Sequence, residues 1–138
     1  MAKLQIKRFT APDEKRRFQG HGGMSLLNFA EKQAVGLGTF EPGWRWTQDV
    51  APIAGTSTCE VAHELYVLSG RMHLKMNTGE EADLGPGDVV LIPPGHDAWV
   101  LGEETCRIVD FGGLEGYALP QTEALRAAEA ARTQATRQ

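Results

Sequence analysis

The sequence predicts an all-β protein built as an antiparallel sandwich or barrel. Short stretches in which apolar and polar residues alternate recur along most of the 138 residues, and this alternation is typical of half-buried strands. The 16 glycines and 7 prolines are more than a helical bundle carries, and they mark tight turns between the stretches. Because no helical stretch separates the central strands, neighbouring strands are expected to pair directly.

The first forty residues contribute the outer strands of this prediction. Residues 4–9 alternate weakly and are interpreted as an edge strand. Residues 12–18, with a proline near their start, are interpreted as a helical turn or a loop. Residues 24–29 and 34–40 each predict a strand. His21 lies between glycines and is interpreted as a solvated loop histidine.

Residues 63–68 form the central predicted strand, which ends at the turn Ser69-Gly70. Side chains two residues apart share one face of a strand. The face expected to point inward consists of Cys59, Val61, His63, Leu65 and Val67. The residues between them are expected to face outward.

The second half of the chain continues the series of strands. Residues 71–76 alternate cleanly and place His73 on the outward face. Further strands are predicted at residues 81–84, 89–92, 98–101 and 106–111. The alanine-rich residues 119–132 instead favour a helix, and the last six residues are expected to be disordered.

Composition disfavours several classes of partner. The net charge of −4 and the pI near 5.5 disfavour a nucleic-acid-binding surface, which is normally basic. No apolar run approaches the ~20 residues of a membrane helix, and the first residues do not resemble a secretion signal. A cytoplasmic protein without nucleic-acid or membrane partners is expected. Its two cysteines, Cys59 and Cys106, are expected to be free.

Three side chains on inward-facing positions are candidate metal ligands: Cys59, His63 and His96. A thiolate and two imidazoles suit zinc better than a hard, oxygen-preferring ion, with iron, manganese or nickel as alternatives. Three protein ligands leave a fourth position open, and Asp97 is a candidate to orient a ligand. The alternative is that both histidines are hydrogen-bonded core residues without a metal.

Three tryptophans are candidate ligand-binding residues. Trp44 and Trp46 flank Arg45 after the turn Pro42-Gly43, and tryptophan offers a large apolar ring with one N–H donor. The alternative for this pair is simple packing at the mouth of the barrel. Trp99 is the third candidate, although strand alternation places it opposite His96.

Two stretches of the chain resemble the cupin family. Gly87-Asp-Val-Val-Leu-Ile-Pro93-Pro-Gly95 matches the second cupin motif, but the slot of its histidine holds Ala98, with His96 two positions earlier. In the first cupin motif, counted back from Gly70, the glutamate slot falls on His63. The paired-histidine slots fall on Ser57 and Cys59, or on Thr56 and Thr58 in the longer spacing.

This resemblance covers about residues 36–112 and implies a double-stranded β-helix, or jelly-roll barrel. The expected organisation is strands and loops at 1–35, the barrel at 36–118, and a short C-terminal helix with a tail at 119–138. The resemblance also implies a divalent metal, a small-molecule pocket inside the barrel and a homodimer, but no substrate. A metal-dependent enzyme, a binding or sensing module and a metal-free structural protein remain open alternatives.

Overall fold

The computed structural model describes residues 3–30, 34–112, 114 and 117–119. These residues hold nine strands and two single-turn helices. The strands are β1 (Glu14–Arg17), β2 (Gly22–Asn28), β3 (Ala34–Phe40), β4 (His63–Ser69), β5 (Arg71–Met76), β6 (Glu81–Leu84), β7 (Val89–Ile92), β8 (His96–Leu101) and β9 (Cys106–Asp110). The helices α1 (Trp46–Asp49) and α2 (Ala51–Ala54) lie between β3 and β4.

The strands form two antiparallel sheets. The larger sheet has the order β1-β2-β3-β9-β4-β7 and the smaller one the order β6-β5-β8. Consecutive strands therefore often lie in different sheets, so that β4 and β5, joined at Gly70, belong to opposite walls. The predicted all-β architecture is confirmed.

Strand alternation places the core where the sequence predicts it. The predicted inward set, from Cys59 to Val67, is buried, and the side chains between its members are exposed. On β8 the residues His96, Ala98 and Val100 are likewise buried. The inward faces of β4 and β8 thus contribute to a common core, which is where a site carried by both strands has to lie.

Three predicted elements differ in the structure. Residues 14–17 are a strand, β1, because pairing with β2 outweighs the weak local preference for a helical turn. Residues 4–9 belong to no strand. Residues 48–58, which contain Pro52 and Gly55, are predicted from the sequence as a loop, but they contain α2, which has a proline in its first turn and ends at Gly55. The helix predicted at 119–132 lies almost entirely outside the described residues.

Gly70 lies in the turn that joins the two sheets, and it is expected to tolerate substitution poorly. Gly70 has φ +73°, and a Cβ there would lie 2.5 Å from Cα of Cys106. We expect Gly70→Ala to lower the free energy of unfolding by about 2–4 kcal/mol, since backbone strain and a main-chain clash add. Gly102→Ala is the matched control, because its φ is +76° and no atom lies within 4 Å.

Urea unfolding of both variants measures the difference. Gly102→Ala should lose only the strain of the left-handed conformation, about 1–2 kcal/mol. Equal losses in the two variants would show that the contact with Cys106 does not matter.

Candidate metal centre

The three candidate ligands predicted from the sequence converge in the structure. One donor atom from each of Cys59, His63 and His96 lies within 4.8 Å of the other two, and all three residues are buried. Two local features bring them together. Cys59 and His63 share the inward face that leads into β4, and Cys59 pairs with the start of β8 through a hydrogen bond from its N–H to the His96 carbonyl, 2.8 Å.

Hydrogen bonds to the Nδ1 atoms fix how both imidazoles are presented. Nδ1 of His96 lies 2.8 Å from the Pro93 carbonyl, and Nδ1 of His63 lies 2.7 Å from a carboxylate oxygen of Asp110. Because a carbonyl oxygen only accepts, Nδ1 of His96 carries a proton. Nε2 of His63 lies 3.7 Å from Sγ of Cys59. In both rings Nε2 is therefore the nitrogen left for the cluster, and His63, with a pKa raised to about 9, would have to release its Nε2 proton to bind a metal.

The electrostatics of the cluster favour an ionised thiol. Burial alone would raise the pKa of Cys59, but hydrogen bonds and charge from His63 and His96 outweigh burial and lower this pKa to about 7. Burial lowers the pKa of His63, and its hydrogen bonds to Asp110 and Cys59 reverse the effect and raise the pKa to about 9. A buried thiolate beside a buried carboxylate is a setting that attracts a cation.

A cavity of about 30 Å³ opens beside the two histidines. Its polar lining comes from His63, His96 and Asp110, with Trp44 and Tyr117 contributing amphipathic rings. The rest of the lining is apolar and consists of Phe40, Leu65, Met72, Leu74, Ile92, Ala98 and Ile108. This volume exceeds the ~10–15 Å³ that one water requires, so the cavity suits a water or a very small ligand.

The three tryptophans occupy different environments. Trp44 lines the cavity, and its ring packs edge-on against Phe40 at 4.5 Å. Trp46 is buried but is not among the described residues that line the cavity. The indole N–H groups of both have no hydrogen-bond partner among the described residues. Trp44 therefore lies at the wall of the cavity, and Trp46 contributes to the packing of the core.

Trp99 lies on the outer face of the smaller sheet, away from the cavity. Its ring contacts the guanidinium of Arg45 at 4.5 Å and the ring of His73 at 4.6 Å. The reason is the alternation of β8, which places Trp99 opposite Ala98 and His96. The expected contribution of Trp99 to the barrel pocket is therefore not present in this structure.

Two residues of the site were not predicted from the sequence. Asp110, the last residue of β9, is 1% exposed and also accepts a hydrogen bond from the N–H of Gly112, 3.0 Å. Asp110 lies two residues after Ile108 and four after Cys106 on β9, so strand alternation could have placed it on the inward face. Tyr117 packs edge-on against His63 at 4.7 Å, and burial raises its pKa well above the ordinary value. Tyr117 follows no strand pattern.

Asp97 does not orient a metal ligand, in contrast to the sequence-based expectation. Its carboxylate accepts hydrogen bonds from the Arg45 side chain at 2.9 and 3.0 Å and from the backbone N–H of Thr47 at 3.2 Å. These contacts join β8 to the start of α1. The carboxylate that contacts a candidate ligand is instead Asp110, on a different strand.

The two remaining histidines lie outside the cluster. His21 is not simply a solvated residue, because its Nδ1 lies 3.1 Å from the buried carboxylate of Asp49. His73 is on the outer face, as predicted, with Nδ1 at 2.5 Å from Asp83 and Nε2 at 2.7 Å from Glu81.

His73 is expected to make stability depend on pH. Hydrogen bonds to Asp83 and then to Glu81 raise its pKa above 6.5. When folding raises the pKa of a group, that group contributes to the free energy of unfolding. The contribution is complete at pH values below the pKa of the unfolded state, and it is lost as the pH rises through the pKa of the folded state. The stability difference between the wild type and His73→Gln should therefore be larger at pH about 6 than at pH about 9. Urea unfolding at both pH values measures it, and a pH-independent difference would contradict the ion pairs.

Comparison with known proteins agrees with this geometry. A family model described as a cupin domain matches residues 51–112. Residues 51–112 are therefore similar to a cupin domain. The matched segment contains β4 to β9 and therefore Cys59, His63, His96 and Asp110.

Solved structures resemble most of this fold. A protein of unknown function from Rhizobium leguminosarum is 20% identical, with a TM-score of 0.55 over 79% of this chain and 95% of its own. A protein of unknown function from Acinetobacter sp. is 14% identical, with a TM-score of 0.53 over 72% and 90%. No curated protein sequence matches the chain. These likenesses support the fold alone. In the described part of the chain, no helix has the length and apolar character to cross a membrane.

Proposed function

We propose that this cupin domain binds one divalent metal ion through Sγ of Cys59 and Nε2 of His63 and His96. The observation that carries the proposal is the anchoring of both Nδ1 atoms, by Asp110 and by the Pro93 carbonyl. Histidines that bind metals characteristically donate their second N–H to a carboxylate or a carbonyl, which fixes the tautomer and the direction of the ring. Both histidines of the cluster meet this criterion before any ion is considered.

Zinc fits the cluster best. A tetrahedral zinc ion with ordinary Zn–S and Zn–N bonds separates its sulfur and nitrogen ligands by roughly 3.6 Å, and Sγ of Cys59 lies 3.7 Å from Nε2 of His63. Charge points the same way, because a divalent ion balances the Cys59 thiolate and the Asp110 carboxylate, and buried charges are tolerated when they are compensated. Iron, manganese and nickel match a sulfur-containing donor set less well.

The cavity beside the cluster is where a small molecule would bind. A bound ion with one open position would supply Lewis-acid chemistry toward an oxygen or carbonyl of that molecule. The walls around it are mostly apolar, and they include Trp44, whose indole N–H has no hydrogen-bond partner among the described residues. The volume of about 30 Å³ restricts occupants of this conformation to a few heavy atoms.

A binding or sensing module is the second candidate. Its supporting observation is that Asp110, the carboxylate that lines the cavity, is already engaged with His63 and is therefore not free to act as a general base. A metal-free structural cupin is the third candidate. It is supported by the hydrogen bonds that already connect Cys59, His63 and Asp110.

Metal analysis of protein purified without added salts tests the proposal. About one zinc ion per chain is expected, and Cys59→Ser should weaken zinc binding at least ~100-fold while changing manganese binding less than ~10-fold, since serine oxygen is a harder donor. Cys106→Ser is the matched control, because Cys106 is equally buried but is not part of the cluster.

The outcomes separate the three candidates. Absence of metal from the wild type, with no uptake on titration, favours the structural role. Bound metal with turnover of a small oxygenated substrate that depends on the metal favours an enzyme. Bound metal with ligand binding but no turnover favours the binding module.

A further inference from the structure

A groove lies between the two sheets, where β6 ends the smaller sheet and β7 ends the larger one. Its volume is about 140 Å³, and we call it the β6–β7 groove. Most of its lining is apolar and comes from both edges, including Leu84, Val90 and Ile92. Ala82 lies on the same inward face of β6 as Leu84 but is exposed, so the groove is open to solvent on that side.

The groove adjoins the cavity of the metal centre. Leu74 and Ile92 line both spaces and are only 6% and 5% exposed, so these two side chains form a shared wall. Pro93, whose carbonyl anchors Nδ1 of His96, also lines the groove. A change of rotamer at Leu74 or Ile92 would therefore join the groove to the space beside the candidate ligands.

The outer end of the groove is acidic. Its lining includes Glu80 and Glu81 and no basic residue. Glu81 is already engaged with Nε2 of His73 at 2.7 Å on the outer face of the sheet, whereas Glu80 forms no ion pair within the described part of the chain. The Glu80 carboxylate is therefore available to a cationic group that enters the groove.

The distance between the two ends limits the length of a ligand. Met76 pairs with His96 across β5 and β8, and its N–H donates to the Glu80 carbonyl at 2.8 Å. Glu80 thus lies two strand spacings from His96, which is about 10 Å. An extended covalent chain advances about 1.2 Å per bond, so a chain of about six carbons with a polar group at each end covers this distance.

The volume of the groove agrees with such a chain. Engineered apolar cavities of about 150 Å³ hold a benzene-sized group of six carbons, and the groove is of similar size. The path therefore offers three environments in order, which are a metal with an open position, an apolar passage and a carboxylate. A metal accepts an oxygen donor, and a carboxylate accepts an ammonium group.

We propose that the β6–β7 groove holds the aliphatic body of an ω-amino carboxylate of about six carbons. Its ammonium group lies at Glu80, and its carboxylate binds the metal ion. Only the carboxylate contact rests on the proposed function, because the groove and Glu80 are independent of a metal. Leu74 and Ile92 close the inner passage in this structure, so the complete ligand requires one of these side chains to rotate.

NMR titration of the full chain with hexylamine and with 1-hexanol tests the groove without depending on a metal. Both compounds should shift the amide signals of Leu84 and Val90. Hexylamine should bind at least ~3-fold more tightly, since its ammonium meets a carboxylate at a partly exposed site. Glu80→Gln should remove this preference. Glu103→Gln should keep it, because Glu103 is exposed but does not line the groove.

Ala82→Leu tests the position of the aliphatic chain. The larger side chain should fill the groove from an exposed position and raise the dissociation constant for hexylamine at least ~10-fold. Ala11→Leu is the matched control, because Ala11 is exposed outside the groove and its substitution should leave the constant unchanged. Both variants should keep the melting temperature of the wild type.

Zinc-loaded protein tests the carboxylate end. 6-Aminohexanoate should bind to it at least ~10-fold more tightly than hexylamine, and a chelator that removes the zinc should abolish this gain. 3-Aminopropanoate is too short to reach both ends and should not show the gain. A chain that takes up no zinc would remove the carboxylate contact together with the proposed function, while the hexylamine titration would still measure the groove.

Two results would overturn the inference whatever the metal content. The first is a wild type in which hexylamine shifts no groove signal, or binds with the same affinity after Glu80→Gln and Ala82→Leu. The second is binding of 6-aminohexanoate to the zinc-loaded protein without shifts at Leu84 and Val90, which would place the ligand outside the groove.

Discussion

His96→Ala is expected to abolish metal uptake while the barrel stays folded. The substitution removes one of three donor atoms and leaves Cys59 and His63, which alone cannot fix a tetrahedral ion. The strands are held by burial of the core and by backbone pairing, and the His96 backbone would still bond to Cys59. Elemental analysis after equilibrium dialysis should find about one ion per wild-type chain and less than about 0.1 per variant chain.

His73→Ala is the control for this experiment. His73 is also a strand histidine with partners at both ring nitrogens, but it lies on the outer face and outside the cluster. Its metal content should equal that of the wild type. Circular dichroism should show the same strand content in all three proteins. Retention of stoichiometric metal by a folded His96→Ala protein would remove His96 from the site.

Asp110→Asn is expected to lower zinc affinity by about 10–100-fold, the usual effect of losing a partner that orients a ligand. The substitution keeps the shape of the side chain but removes one of the two negative charges that a divalent ion balances. It also weakens the hydrogen bond that fixes Nδ1 of His63. Competition with a chromogenic chelator at fixed pH measures the loss.

Asp97→Asn separates this effect from the general cost of changing a buried acid. Asp97 is 8% exposed and adjacent in sequence to His96, but its oxygens bind Arg45 and Thr47. The variant should be less stable than the wild type, because it loses a charged pair, yet its zinc affinity should change less than ~3-fold. Equal losses of affinity in the two variants would mean that overall stability, and not orientation of His63, controls binding.

The ligand cluster could be predicted from the sequence because it depends on local rules. Strand alternation relates Cys59 to His63, and the same rule keeps His96 on the face of the motif position that Ala98 occupies. That the two segments meet in one barrel is implied by the resemblance to the cupin motifs, since alternation within a strand does not determine which strands lie together.

The surroundings of the cluster depend on contacts that no local pattern contains. Asp110 reaches His63 because β9 inserts beside β4, which aligns Leu65 with Asp110 across the sheet. Tyr117 covers His63 from a turn beyond the last strand. Both contacts are decided by pairing between distant segments, which propensity and alternation do not determine. Trp99 differs, because strand alternation alone places it outside the pocket, and only its contacts with Arg45 and His73 could not be predicted from the sequence.

The position of β9 between β3 and β4 has a consequence for biosynthesis. The ribosome delivers this strand after the other eight described strands, yet it occupies the middle of the larger sheet. A nascent chain that has emerged only to residue 100 already contains Cys59, His63 and His96 but lacks Asp110. An ion bound at the proposed site in its final geometry would therefore be captured only after β9 is translated, and late insertion of a central strand makes slow maturation the expected behaviour.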